Sequence, residues 1–202
     1  MRYLAGMVLG VALVVAASAA GMARAADAPA PPGGWSLEAL MAGLRQVRAA
    51  SAHFVELKTV RMLNRPIQTT GTLKYVAPDK LEKITITPAP ETIRLDGGTL
   101  TGQQANGDDF SVDIGGHSEI GALVEGIRST LAGDLPTLRR YYGIAFAGGQ
   151  DHWQIDLVPK DHWVREKVER IRILGAGTVI SNIVVDEKDG DRSEMTVTPD
   201  TP

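Results

Sequence analysis

Gly71-Thr72-Leu73-Lys74-Tyr75-Val76-Ala77-Pro78-Asp79-Lys80-Leu81-Glu82-Lys83-Ile84-Thr85-Ile86-Thr87 is the stretch whose reading decides the fold. Leu73 and Tyr75 fall on one side of an extended chain and Thr72 and Lys74 on the other, the two-residue period of a half-buried strand. Ala77-Pro78-Asp79-Lys80 has turn chemistry, so a second strand from Leu81 to Thr87 folds back on the first, with Ile84 and Ile86 as its apolar face. Pro88-Ala89-Pro90 ends it. Downstream, Thr92 to Leu95 and Thr99 to Gln103 flank Asp96-Gly97-Gly98, a hairpin signal that places Ile93 and Leu95 on one face. Asn106-Gly107-Asp108 then leads to another strand, Phe110 to Ile114. Upstream, Leu37, Leu40, Met41, Leu44 and Val47 recur at helical spacing. This predicts a helix over 36–50, capped by Ser36 and stapled by Trp35 against Leu40. The period changes from Ala52 to Leu63, where Phe54 alternates with Glu56 and Lys58, while Val60 and Met62 shift the phase and predict a bulge.

Beyond Gly115-Gly116 a second helical stripe appears: Ile120, Leu123, Val124, Ile127 and Leu131, stopped by Gly133. Asp134 caps a shorter helix to about Tyr142. Strands then resume at 144–147, 152–158 (with Trp153, Ile155 and Leu157 on one face), 168–174, 178–185 and 193–198. Strands in immediate succession predict an antiparallel meander, and no βαβ unit is visible. The expected class is mainly β with helices (α+β): a curled sheet of about eleven strands, its concave face covered by about three helices. Periodicity leaves open whether that face is a filled core or a ligand cavity.

The N-terminus reads as a secretory signal peptide. Met1-Arg2-Tyr3 is a short positive segment, Leu4 to Ala20 is uncharged and apolar, and Ala23-Arg24-Ala25 supplies small residues for cleavage before Ala26. The expected organisation is a signal peptide over 1–25, a Pro/Ala/Gly linker over 26–35 and a single domain over 36–202, placed in the periplasm. Removal of the leader leaves about 177 residues, enough for one self-sufficient core. With no cysteine, the chain has neither a disulfide framework nor the thiol that bacterial lipoprotein acylation requires. Acidic residues outnumber basic ones, 24 to 21, with no basic block, which argues against nucleic acid as a partner.

Residues of chemical interest read as structural. Asp151-His152-Trp153 and Asp161-His162-Trp163 form a short duplication, but no His pair has metal-ligand spacing. Two anchoring indoles, the second in a loop, are the simpler account. Gly116-His117-Ser118-Glu119-Ile120-Gly121 misses the glycine spacing of a nucleophile elbow, and Ser118 reads as a helix cap. Asp108-Asp109 read as turn residues. No catalytic set, metal site or cofactor motif is expected, and the chain is not expected to be an enzyme.

In order, these elements resemble the LolA-like outer-membrane lipoprotein carrier family. The matching pieces are Ser51-Ala52-His53-Phe54-Val55-Glu56 after a first helix and Gly71-Thr72-Leu73-Lys74-Tyr75 with Pro78-Asp79. Pro90-Glu91 follows, with Leu95-Asp96-Gly97-Gly98-Thr99-Leu100, then Trp153-Gln154-Ile155-Asp156-Leu157-Val158-Pro159, and the closing hairpins from Val168 onward. The resemblance implies an unclosed β-barrel with a helical lid around an apolar cavity. It implies a lipid or acylated cargo taken from an inner-membrane transporter and passed to an outer-membrane acceptor by a monomeric carrier. The implied cavity residues are Phe54, Leu73, Tyr75, Ile84, Ile86, Ile93 and Leu95 on the first half of the sheet. Trp153, Ile155 and Leu157 continue the wall, and Leu123, Val124 and Ile127 come from the lid. One departure is visible: Leu81-Glu82-Lys83 stands where the lipoprotein carriers have an arginine and aromatic pair. The alternative is a periplasmic protein-interaction module that uses its helices and edge strands on the same scaffold.

Overall fold

The computed structural model describes residues 34–114 and 119–200. The signal-peptide reading of 1–25, most of the linker and the Ser118 cap lie outside those residues. Eleven strands form one antiparallel sheet in the order β6-β5-β4-β3-β2-β1-β11-β10-β9-β8-β7. The first half comprises β1 (Ala49–Thr59), β2 (Ile67–Val76), β3 (Lys80–Thr87), β4 (Glu91–Asp96), β5 (Thr99–Gln104) and β6 (Phe110–Asp113). The second comprises β7 (Tyr142–Gly148), β8 (Trp153–Pro159), β9 (Val168–Ala176), β10 (Val179–Glu187) and β11 (Arg192–Pro199). Each half is a meander, and pairing of β1 with β11 at the centre joins them. β6 and β7 remain as free edges, so the barrel is unclosed.

Four helices accompany the sheet among the described residues: α1 (Leu37–Leu44), α2 (Glu119–Leu131), α3 (Leu135–Tyr141) and α4 (His162–Arg165). Of these, α2 and α3 connect the two edges. The Ser36 side chain accepts from the Ala39 amide and caps α1, which buries Leu40, Met41 and Leu44, and Trp35 packs against the same core. The helix is shorter than the predicted 36–50, because β1 begins at Ala49 and pairs there with Val76 of β2. Sheet hydrogen bonding takes over residues whose apolar spacing alone suited a helix. β1 also ends earlier than predicted: Val60 and Met62 lie beyond it, Met62 is 93% exposed, and no bulge is needed.

Candidate functional site

The sheet's concave face carries two apolar clusters. The larger gathers α1, α3 and the second half of the sheet around Ile155, Leu157, Ile171 and Ile173. The smaller joins Ile93, Leu95, Leu100 and Ile114 to Val124 of α2. The α2 helix straddles both, since Leu123 and Ile127 belong to the first cluster and Val124 to the second. Its seat is specific. A Cβ on Gly126 would come within 2.9 Å of the Tyr142 ring, so glycine allows that approach, and the Tyr142 hydroxyl donates to the Ala122 carbonyl at 2.7 Å. Two ties hold the segment after α2 to α1 and its C-terminal cap: Arg45 Nη2 donates to the Gly133 carbonyl at 2.9 Å, and Arg139 of α3 pairs with Glu38 at 2.7 Å. Backbone hydrogen bonding, then the Arg139 guanidinium, hold the Glu38 carboxyl below its usual range.

A cavity of about 300 Å³ remains between the clusters. That volume is at the lower end of the roughly 300–1,000 Å³ usual for small-molecule sites. Its walls are overwhelmingly apolar: Leu73, Tyr75, Leu81, Ile93, Leu95 and Leu100 from β2 to β5, and Ile180, Ile183 and Val197 from β10 and β11. Val124, Ile127 and Leu131 of α2 and Leu44 of α1 cover them. Ala50, Ser51, Thr178, Val179 and Pro199 also line it and are exposed, so the mouth lies between the start of β1, the β9–β10 turn and the end of β11.

Of the thirteen residues expected to face the cavity, Leu73, Tyr75, Ile93, Leu95, Val124 and Ile127 line it. Phe54, Leu123, Trp153, Ile155 and Leu157 are instead packed in the large cluster, because the lid rests directly on the second half of the sheet. Ile84 and Ile86 are on the wrong face. Cross-strand pairing sets Leu81 opposite Tyr75 and Lys83 opposite Leu73, so Leu81, Lys83 and Thr85 point inward and Ile86 is 56% exposed. A one-residue phase error inverts every side chain of a strand. Leu100 was legible, since the Asp96-Gly97-Gly98 hairpin sets it opposite Leu95. No local pattern points to Ile180, Ile183 and Val197.

Lys83 brings a charge to the floor of the cavity, where it is 5% exposed. Its Nζ donates to Glu56 Oε2 at 2.6 Å and stands 5.0 Å from the centre of the Phe54 ring. The other Glu56 oxygen accepts from the Ser193 hydroxyl at 2.8 Å, and Thr69 adds a longer bond at 3.3 Å. The floor is thus ionic but internally neutralised. Higher up, Tyr75 is 5% exposed and its buried hydroxyl has no hydrogen-bond partner among the described residues. Burial raises the Tyr75 pKa, against the pull of Arg128.

The residues set aside in the sequence have structural roles here. Trp153 is buried and its Nε1 donates to the Gly177 carbonyl at 2.9 Å, whereas Trp163 is 64% exposed with its ring tilted against that of His162. The second Asp-His-Trp forms α4 rather than a loop, with Asp161 as its cap. Asp108 and Asp109 bond to Asn106 and to the Gln104 amide inside their turn. Among the described residues the carboxylates of Glu187, Asp189 and Asp191 also gather, their oxygens within 4.8 Å. Lys58 pairs with Glu187 at 3.1 Å, and Asp191 accepts from the Arg61 amide. No helix of the described residues is long and apolar enough to cross a membrane.

A family model described as outer membrane lipoprotein carrier protein LolA-like matches residues 25–198. Several solved structures are similar at low identity. A LolA superfamily protein from Nitrosomonas europaea is 9% identical, with 82% of this chain and 94% of that one covered and a TM-score of 0.44. An outer membrane lipoprotein-sorting protein domain from Vibrio parahaemolyticus is 12% identical over 80% and 89%, with a TM-score of 0.40. The Pseudomonas aeruginosa MucA/MucB complex gives 11% identity, 80% and 55% coverage and a TM-score of 0.41. No curated protein sequence matches this chain.

Proposed function

The chain belongs to the LolA-like outer membrane lipoprotein carrier family, and from that premise we propose that it is a periplasmic carrier. It shields the acyl chain of a lipid or lipoprotein in the cavity under α2 and moves it from an inner-membrane donor to an outer-membrane acceptor. The observation that carries this reading is the cavity itself: apolar walls, a mouth on one side and a lid held by a few polar ties. An acyl chain gains about 0.8 kcal/mol per methylene buried, so a shuttle between membranes has to cover most of its cargo's tail. Because the volume is small, a cargo with several chains requires α2 to lift. The reading involves no bond-making step and no cofactor. Native mass spectrometry and lipid extraction of the protein purified from its own cell envelope provide the test. Co-purifying acylated molecules are expected, and uniformly bare protein would turn the assignment toward the interaction module.

A further inference from the structure

We propose that the Tyr75 hydroxyl is the polar anchor of the cavity, donating a hydrogen bond to an oxygen at the head of an acyl chain, a carboxylate or ester carbonyl. The inference rests on the carrier reading and names the chemistry its site selects. Buried hydroxyls in folded proteins almost always have a partner, and one left unpaired in an apolar wall raises the free energy of the empty protein. Tyr75 is such a group among the described residues, and it lines the cavity. Other polar groups along the walls are already occupied or lie at the rim. Lys83 is engaged by Glu56, Glu82 pairs with Arg94 at 2.5 Å, and Ser51, Lys74 and Thr178 are exposed.

Position supports the same assignment. Tyr75 pairs across the sheet with Ala50, one of the exposed residues at the mouth, while Leu73 and Lys83 are two residues further in. A chain lying tail first against Leu73 and Ile93 leaves its first oxygen at the level of Tyr75, which the register sets in one row with Leu81, Leu95 and Leu100. Burial is the main influence on the Tyr75 hydroxyl; Arg128 and Arg48 pull its pKa the other way against Asp79, and Arg128 is itself paired with Glu125 at 2.6 Å. Burial also keeps the phenol protonated, as a donor must be.

The test is Tyr75→Phe, which removes only the oxygen and leaves the ring in place. Palmitate and methyl palmitate are titrated as competitors of a phenylnaphthylamine probe that has no carbonyl group. Loss of one hydrogen bond is expected to weaken both acyl ligands about 5- to 10-fold. Probe affinity should stay within about twofold, since the apolar walls are intact. Loss confined to palmitate assigns the anchor to carboxylates, and loss confined to methyl palmitate assigns it to esters. Unchanged affinity for both, or an equal loss for the probe, overturns the proposal while leaving the carrier reading intact. Failure of the unaltered protein to bind even the probe would refute the carrier reading itself, and the anchor with it. Thermal unfolding should show Tyr75→Phe at least as stable as the parent, because the hydroxyl has no hydrogen bond among the described residues to lose.

Discussion

Replacing Lys83 with Met leaves a carboxylate stranded beneath the cavity. Glu56 is 2% exposed and its strongest contact is the 2.6 Å ion pair to Lys83. Without it, the Ser193 and Thr69 hydroxyls remain among the described residues to stabilise the charge. Removing one member of a buried ion pair costs about 3–5 kcal/mol, whereas replacing both with apolar residues of similar volume is often neutral or stabilising. The expected outcome is a loss of about 3–5 kcal/mol for Lys83→Met and a similar loss for Glu56→Leu, a large share of the roughly 5–15 kcal/mol usual for a domain. The double variant should recover most of that loss, giving a coupling of roughly 3 kcal/mol or more between neighbouring sites. Urea unfolding of all four proteins, analysed with a common slope, measures each term. Single variants that lose less than about 1 kcal/mol, or a double variant whose loss is the sum of the singles, would refute the reasoning. The former outcome would mean that solvent reaches the pair, the latter that the two residues act independently.

Other perturbations test neighbouring parts of the site. Leu73→Trp projects bulk into the cavity and should reduce apolar-probe affinity at least tenfold while changing stability by about 1 kcal/mol or less; a loss of about 1–3 kcal/mol would mean that the space is already filled. Gly71→Ala puts a Cβ against the Ile84 carbonyl, with the Phe54 ring also too close at 2.8 Å, so unfolding should show a loss of about 1–3 kcal/mol. The pKa of Glu187 is raised first by burial, with Lys58 pulling the other way. The folded state therefore binds its proton more tightly than the unfolded chain, and this group's stabilising contribution is complete below about pH 4.3 and lost as pH rises through the raised value. Glu187→Gln should flatten that segment of a melting-temperature-against-pH curve, and an unchanged slope would assign the dependence to another group.

Alternation in Gly71 to Tyr75, the Asp96-Gly97-Gly98 hairpin and the Leu123, Val124, Ile127 stripe were sufficient for the sheet and its lid. These are local signals, because side-chain period and turn chemistry act over a few residues. They were less reliable where local preferences competed. Val47 suited a helix, but strand pairing from Ala49 onward ended α1 at Leu44. Ile84 and Ile86 suited an apolar face, but the pairing of Leu81 with Tyr75 turned them outward.

By itself the sequence determined a meandering antiparallel sheet, an amphipathic lid and the absence of any thiol chemistry, all properties of composition and short-range pattern. Only the tertiary structure decided which inward-facing residues meet one another and which meet empty space. Ile155 and Leu73 carry the same apolar signal, yet Ile155 is fully packed in the large cluster and Leu73 lines the cavity. A cavity is a mismatch between the curvature of a sheet and the volume of the helices above it. That mismatch sums over residues far apart in the chain, as does the contact between Glu56 and Lys83, and no window of sequence contains it.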